Sequence, residues 1–207
     1  MDGALVGYYI RVLAESDQRA PLSELRTVLG RDFELTVDDG DEDNWSQLVL
    51  RHKGGPDIAT VERDLVKPSE LGADEIEEQI EEVRHYQPHS AAEWLRAYLP
   101  SVKVVYAMQL LRGTEVNDGW SAVHRVQAYL WKKFGGILQA DGEGYSNREG
   151  QHILWQFDGD PKGELEVAVL NDAGQWVPFT IEMSDPVQVE SFQRGEVPNR
   201  VKGQIGL

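Results

Sequence analysis

Hydrophobic and polar residues along the first half of the chain follow two spacings, one typical of strands and one of helices. Stretches rich in β-branched and aromatic residues predict strands at 4–14, 33–37, 46–53, 58–66 and 102–111. Apolar residues spaced three and four apart predict helices at 21–29, 74–84 and 90–98. The turn 54–57, Gly-Gly-Pro-Asp, predicts that the third and fourth strands form a hairpin.

The second half of the chain begins with the longest predicted helix, 118–134. Asp118 precedes it, lysines occupy its last turn and two glycines follow, so both ends carry terminal signals. Strands are predicted at 137–140, 152–157, 164–170 and 176–182, and Pro186 is expected to open a short last helix. In the first half, Ser90 and Glu93 have the spacing of a capping box, which predicts a helix beginning at Ser90.

These elements predict an α+β protein with two adjacent sheet-and-helix units and mostly antiparallel sheets. The polar stretch 112–118 marks the predicted boundary, giving an α+β unit over 1–112 and a second over 113–207. The second unit has a long N-terminal helix followed by an antiparallel sheet. The element order of the first unit is close to the ferredoxin-like βαββαβ plan with one added strand.

Composition places the chain among globular proteins, with 41 % hydrophobic and 27 % charged residues over 207 positions. The absence of cysteine excludes disulfides, thiolate catalysis and metal–thiolate sites, and it favours a reducing compartment. The start of the chain is typical of a first strand and not of a signal peptide, and no apolar run is long enough for a membrane helix. We therefore expect a cytoplasmic protein.

The formal net charge of −16 argues against nucleic-acid binding, because such a surface repels phosphates. The same charge would attract a basic protein, although acidity can also serve solubility alone. The carboxylates are concentrated in two places: the acidic loop, 38–43, and one face of the helix predicted at 74–84. The candidate partner-binding residues are Asp38, Asp39, Asp41, Glu42, Asp43, Trp45, Glu77, Glu78, Glu81 and Glu82.

Trp45 directly follows the acidic loop, which gives it two interpretations. An exposed aromatic beside carboxylates would suit a protein-binding anchor. Alternatively, the ring starts a strand and packs inward. The loop itself does not have the EF-hand spacing, since Asn44 and Leu50 stand where glycine and glutamate are required, so we expect no metal site there.

The glycine-rich segment 141–150 is the most distinctive stretch of the chain and is predicted to be a long loop between two strands. If the protein is an enzyme, Asp141, Glu143, Ser146 and His152 are the candidate catalytic residues of a small hydrolase or ligand-binding enzyme. Otherwise the glycines serve the shape of the loop or contact with a partner.

Signatures of common enzyme classes are missing from the sequence. It has no Walker loop, dinucleotide glycine fingerprint, HExxH or GxSxG motif, and its five histidines do not cluster. We expect no cofactor. The sequence favours a non-enzymatic binding protein, for example an inhibitor or immunity-type protein that neutralises a basic toxin or nuclease. Hydrolysis and mimicry of nucleic acid by the glutamate-rich helix are the alternatives, and the oligomeric state stays open.

Overall fold

The computed structural model describes residues 7–199 and 201, which contain ten strands and five α-helices. The α+β class and the mostly antiparallel pairing predicted from the sequence are therefore confirmed. By its internal contacts the chain divides into two compact units, each made of two segments. Unit 1 comprises 1–74 and 102–140, and unit 2 comprises 75–101 and 141–207.

Unit 1 contains six strands in the order β6-β1-β5-β4-β3-β2, and every neighbouring pair is antiparallel. Its elements are β1 (Tyr9–Ala14), α1 (Leu22–Leu29), β2 (Phe33–Asp39), β3 (Gln47–His52), β4 (Asp57–Leu65), β5 (Val104–Leu110), α4 (Gly119–Phe134) and β6 (Ile137–Ala140). β5 and β6 flank β1 on either side and run parallel to each other, with α4 as their crossover. The apolar stripes of α1 and α4 cover the core of this sheet, with Leu25 and Leu130 packed in one cluster with Val12 and Tyr106.

Unit 2 contains four strands in the order β7-β8-β9-β10, of which only β8 and β9 are parallel. Its elements are α3 (His89–Tyr98), β7 (Gly144–Ser146), β8 (His152–Trp155), β9 (Glu164–Leu170), β10 (Trp176–Glu182) and α5 (Pro186–Gln193). α2 (Leu71–Glu82) belongs to this unit from Glu75 onward and continues into a 3-10 turn, Val83–His85. Phe192 of α5 fills a core cluster with Val167, Phe179 and Ile181.

Two details of the predicted organisation are not confirmed. The single boundary predicted after residue 112 does not coincide with the division by contacts, because β5, α4 and β6 return to unit 1. The ferredoxin-like detail is not confirmed, since β4 and β5 pair directly and the helices between them belong largely to unit 2. The predicted first strand is observed from Tyr9, and its first three residues, 4–6, lie outside the described residues.

Two local predictions are wrong. α3 begins at His89 after Pro88 and no side chain caps it, so Ser90 lies inside the helix and the capping box does not form. The predicted loop 141–150 contains the short strand β7 between two tight turns. Gly144 opens this strand at a φ of +123°, and a Cβ there would overlap the carbonyl oxygen of Leu154 on β8. Only glycine allows this close approach of the two strands.

Candidate functional site

The four glutamates predicted on α2 are all exposed on one side of the helix, which we call the acidic helix face: Glu77, Glu78, Glu81 and Glu82. The opposite side is buried through Ile76 and Gln79, while Val83 is buried in the turn that follows. The hydroxyl of Tyr145 on β7 donates to Oε1 of Gln79 over 3.0 Å, which fixes the rotation of the helix. Together with the buried residues on the opposite side of α2, this bond orients the four carboxylates towards solvent.

This arrangement of charge does not favour the helix itself. Glu77 and Glu81, like Glu78 and Glu82, are four residues apart, and like charges at that spacing repel. The last turn of α2 contains no basic residue, so two carboxylates lie at the end where the helix dipole is negative. Arg84 in the following 3-10 turn pairs with Glu81 at 2.6 Å, and such an exposed pair contributes little to stability.

An open pocket of about 350 Å³ lies beside the C-terminal end of α2, and we call it the aromatic pocket. Its lining includes three aromatic side chains that are each half-buried, Tyr86, Trp155 and Phe157. The rest of the lining is polar and comprises His85, Gln87, Gln156, Asp158 and Gln193. Asp158 is the one formally charged residue of this lining, so the pocket offers aromatic faces together with negative charge and amide groups.

Hydrogen bonds connect the pocket to the acidic helix face. Nε2 of Gln156 donates to Oε1 of Glu82 over 3.2 Å. The backbone amide of Trp155 donates to the carbonyl of Gln87 over 2.9 Å, which holds the segment after α2 against the end of β8. The last glutamate of the helix face is thus bonded to a side chain that lines the pocket.

The rings of Trp155 and Phe157, which are separated by one residue in the sequence, form a corner. The centroids of Trp155 and Phe157 are 4.7 Å apart and their planes are inclined by 56°. Behind them, the ring of His152 lies 5.2 Å from that of Phe157, and the ring of Phe192 lies 6.4 Å from that of Trp155. Packing from behind restricts the rotamers of both pocket rings.

His152 is a buried histidine, 5 % exposed, within this aromatic cluster. Burial lowers the pKa of His152 to about 4, and a hydrogen bond with the backbone of Leu154 offsets only part of that effect. Nε2 of the ring has no hydrogen-bond partner within the described part of the chain. The imidazole is therefore neutral near pH 7 and acts as one of the packed rings.

The four candidate catalytic residues of segment 141–152 occupy different environments. Asp141 and Ser146 are half-buried, Glu143 is exposed and His152 is buried. Ser146 and His152 are register partners of β7 and β8, which brings their backbones together. Because Nε2 of His152 bonds no partner among residues 7–199 and 201, that nitrogen makes no base–nucleophile hydrogen bond with the serine hydroxyl. The structure brings these residues near one strand pair without assembling a hydrolytic site at that nitrogen.

The acidic loop of unit 1 is exposed, and several of its carboxylates serve the loop itself. Oδ1 of Asp41 accepts the backbone amides of Asn44 and Asp43 at 2.8 and 2.9 Å, and these two bonds lower the pKa of Asp41. Glu42 pairs with Arg26 at 2.9 Å. A further bond joins the hydroxyl of Ser46 to the carboxylate of Asp39. Asp38 and Asp43 present exposed carboxylates beside these bonded groups.

Trp45 is not a surface anchor, because the structure supports the inward interpretation. Its side chain is 0 % exposed, and Nε1 donates to the carbonyl of Ala20 over 3.1 Å. Tyr106 and Arg63 bond the carbonyls of Gln18 and Asp17 in the same segment, so three sheet side chains hold the β1–α1 connection. Trp45 therefore belongs to the core of unit 1, where its bond to Ala20 helps to fix the β1–α1 connection.

The aromatic pocket was not predicted from the sequence, although part of its signal was present. Trp155 and Phe157 alternate at the end of a strand, and that spacing places both side chains on one side. Tyr86 gave no such signal, because its position depends on how the chain leaves α2.

The described residues form neither a cluster of metal-ligating side chains nor a helix that could span a membrane. Over residues 7–199 and 201, no three histidine, aspartate or glutamate side chains lie close enough together to hold a metal ion. Every helix in that part of the chain is too short or too polar to span a bilayer.

Comparison with known proteins adds no relative to this description. The chain matches no protein-family model, no curated protein and no solved structure.

Proposed function

We propose that this protein is a non-enzymatic binding module that recognises a basic protein in the cytoplasm, as an inhibitor or immunity-type protein neutralising a basic toxin or nuclease would. The observation that carries this proposal is the acidic helix face. Four exposed carboxylates lie within two turns of one helix, held outward by the buried bond between Tyr145 and Gln79. Repulsion within the face and the helix dipole both oppose this placement, so a role outside folding accounts for it better than stability does.

A basic partner would relieve that repulsion. Lysine or arginine side chains placed between the glutamates neutralise them, and complementary charge speeds encounter and fixes orientation. The net charge of −16 extends the attraction beyond the contact itself, to distances limited by salt screening.

The acidic loop has a secondary role in this proposal. Asp41, Glu42 and Asp39 are engaged in bonds that shape the loop, whereas Asp38 and Asp43 can add to the attractive field. We therefore assign the direct contact to α2 and long-range attraction to the loop.

The test is capture of proteins from the native host on three immobilised chains: wild type, the Glu77→Gln/Glu78→Gln variant and the Asp38→Asn/Asp43→Asn variant. Both variants remove two negative charges, so they share one net charge and differ only in where it changes. We expect the wild type to retain a basic protein at low salt and release it at high salt. The helix variant should lose that protein and the loop variant should keep most of it. Retention of no basic protein at low salt would reject the proposal.

A further inference from the structure

We propose that the aromatic pocket receives an arginine side chain of the basic partner, so that the partner is anchored beside the acidic helix face. This inference rests on the proposed function and specifies which cation the site prefers. Trp155 and Phe157 form the aromatic corner of the pocket, with ring planes inclined by 56° and centroids 4.7 Å apart. These rings pack against each other, so a cation cannot lie between them, but one that lies in the pocket against their exposed surfaces is attracted by the aromatic faces.

Charge and hydrogen-bonding groups around the corner complement a guanidinium. Asp158 lines the pocket, and the carboxylate of Glu82 lies one hydrogen bond away from it, as the acceptor of the lining residue Gln156. None of the lining residues is lysine or arginine. The C-terminal end of α2 adds the negative end of a helix dipole, which favours a cation.

The shape of these groups favours arginine over lysine. A guanidinium is planar, stacks on aromatic faces and presents five donors, whereas an ammonium is a compact and strongly hydrated point charge. Asp158 can accept two of those donors in parallel, and the amide oxygens of Gln87 and Gln193 can accept others. A volume of about 350 Å³ suits one long side chain better than a folded segment.

The pocket is prepared for such a ligand before it binds. His152 and Phe192 pack behind the two rings, and the amide of Trp155 is bonded to the carbonyl of Gln87. Preorganised walls reduce the conformational entropy that binding must remove. The neutral imidazole of His152 adds no positive charge to repel the cation.

The experiment compares three hexapeptides, hexaarginine, hexalysine and hexacitrulline, titrated into the full chain at low salt. Citrulline keeps the shape of arginine without its charge. Affinity is measured by calorimetry, and the indole N–H resonance of Trp155, assigned by its loss in Trp155→Phe, reports on the pocket. We expect hexaarginine to bind about three- to fivefold more tightly than hexalysine and to shift the Trp155 resonance. Hexacitrulline should do neither.

Two variants locate the preference. Asp158→Asn changes an exposed side chain and should not affect folding, while Phe157→Leu removes one aromatic wall. Each should reduce hexaarginine affinity towards that of hexalysine and leave hexalysine binding nearly unchanged. If hexalysine binds but hexaarginine binds no more tightly and leaves Trp155 unshifted, the pocket inference is wrong and the proposed function stands. Binding of neither peptide would reject both, and equal binding of hexacitrulline would contradict recognition of a cation.

Discussion

Asn147 and Gln151 are joined by three hydrogen bonds that close the turn between β7 and β8, one of them from the backbone amide of Asn147 to the carbonyl oxygen of Gln151 at 2.9 Å. Oδ1 of Asn147 accepts the backbone amide of Gln151 at 3.0 Å, and its Nδ2 donates to Oε1 of Gln151 at 2.8 Å. The same Oδ1 also accepts the amide of Glu149. This asparagine, 1 % exposed, therefore organises the segment in which the candidate catalytic residues were predicted.

The turn between β9 and β10 repeats this arrangement. Asn171 accepts the amides of Ala173 and Gln175 through Oδ1, in a sequence that again has asparagine first, glycine fourth and glutamine fifth. The bonds of this second turn are exposed to solvent. The two turns thus share the bonds to Oδ1, while the first is more buried and also contains the bond from Nδ2 of Asn147 to Gln151.

Asn147→Ala should therefore destabilise the protein more than Asn171→Ala. Asn147→Ala breaks three part-buried hydrogen bonds, which costs about 2–3 kcal/mol, whereas water replaces the exposed acceptor of Asn171 at a cost below about 1 kcal/mol. Chemical denaturation measures both free energies of unfolding. Asn147→Asp keeps the acceptor oxygen and should lose less than Asn147→Ala. Equal losses for the two alanine variants would show that neither the burial of the first turn nor its additional bond to Gln151 contributes to stability.

Trp45→Phe should lower the free energy of unfolding by about 1–3 kcal/mol, since it removes the bond to Ala20 and part of a filled core site. Trp120→Phe, at a tryptophan that is 37 % exposed, should change it by less than about 0.5 kcal/mol. Neither variant should alter hexalysine affinity. Loss of affinity without loss of stability in Trp45→Phe would restore the anchor interpretation.

His152 should make the protein less stable as the pH falls from about 6.5 towards 4. The unfolded chain takes up a proton on this ring near pH 6.5, whereas burial holds the folded pKa at about 4. Between these values only the unfolded state is protonated, so unfolding is favoured. The stabilising contribution is complete above about pH 6.5 and decreases by about 3 kcal/mol once the pH is below 4.

The measurement for His152 compares unfolding free energies across this pH range in wild type and His152→Leu. The wild-type curve should fall more steeply between pH 6.5 and 4 than that of the variant. Parallel curves for wild type and His152→Leu would show that the ring can be protonated without unfolding.

Local signals predicted most elements, and long-range contacts account for the errors. β9, β10 and β6 have the predicted bounds, and Asp185 caps α5 through the amide of Val187 as Pro186 at its first turn suggested. β7 was missed because a three-residue strand with glycine at its start has no periodicity to detect.

The tryptophans show the same limit at the level of side chains. Of the six, Trp45 was the candidate for exposure, yet it is the one that is fully buried. Its acceptor, Ala20, precedes it by 25 residues, so the adjoining acidic run gave no information about its partner. The acidic helix face was predictable because period and charge agree within one helix, whereas the aromatic pocket combines segments far apart in sequence.

The central claim is that charge on α2, and not net charge alone, recognises a basic partner. Its most direct test is the affinity of hexalysine, measured calorimetrically at an ionic strength of about 0.01 M, for wild type, Glu77→Gln/Glu78→Gln and Asp38→Asn/Asp43→Asn. The helix variant should bind about fivefold more weakly and also be slightly more stable, because repulsion within α2 is reduced. The loop variant should bind almost as tightly as wild type, and equal weakening in both variants, or in neither, would contradict the claim.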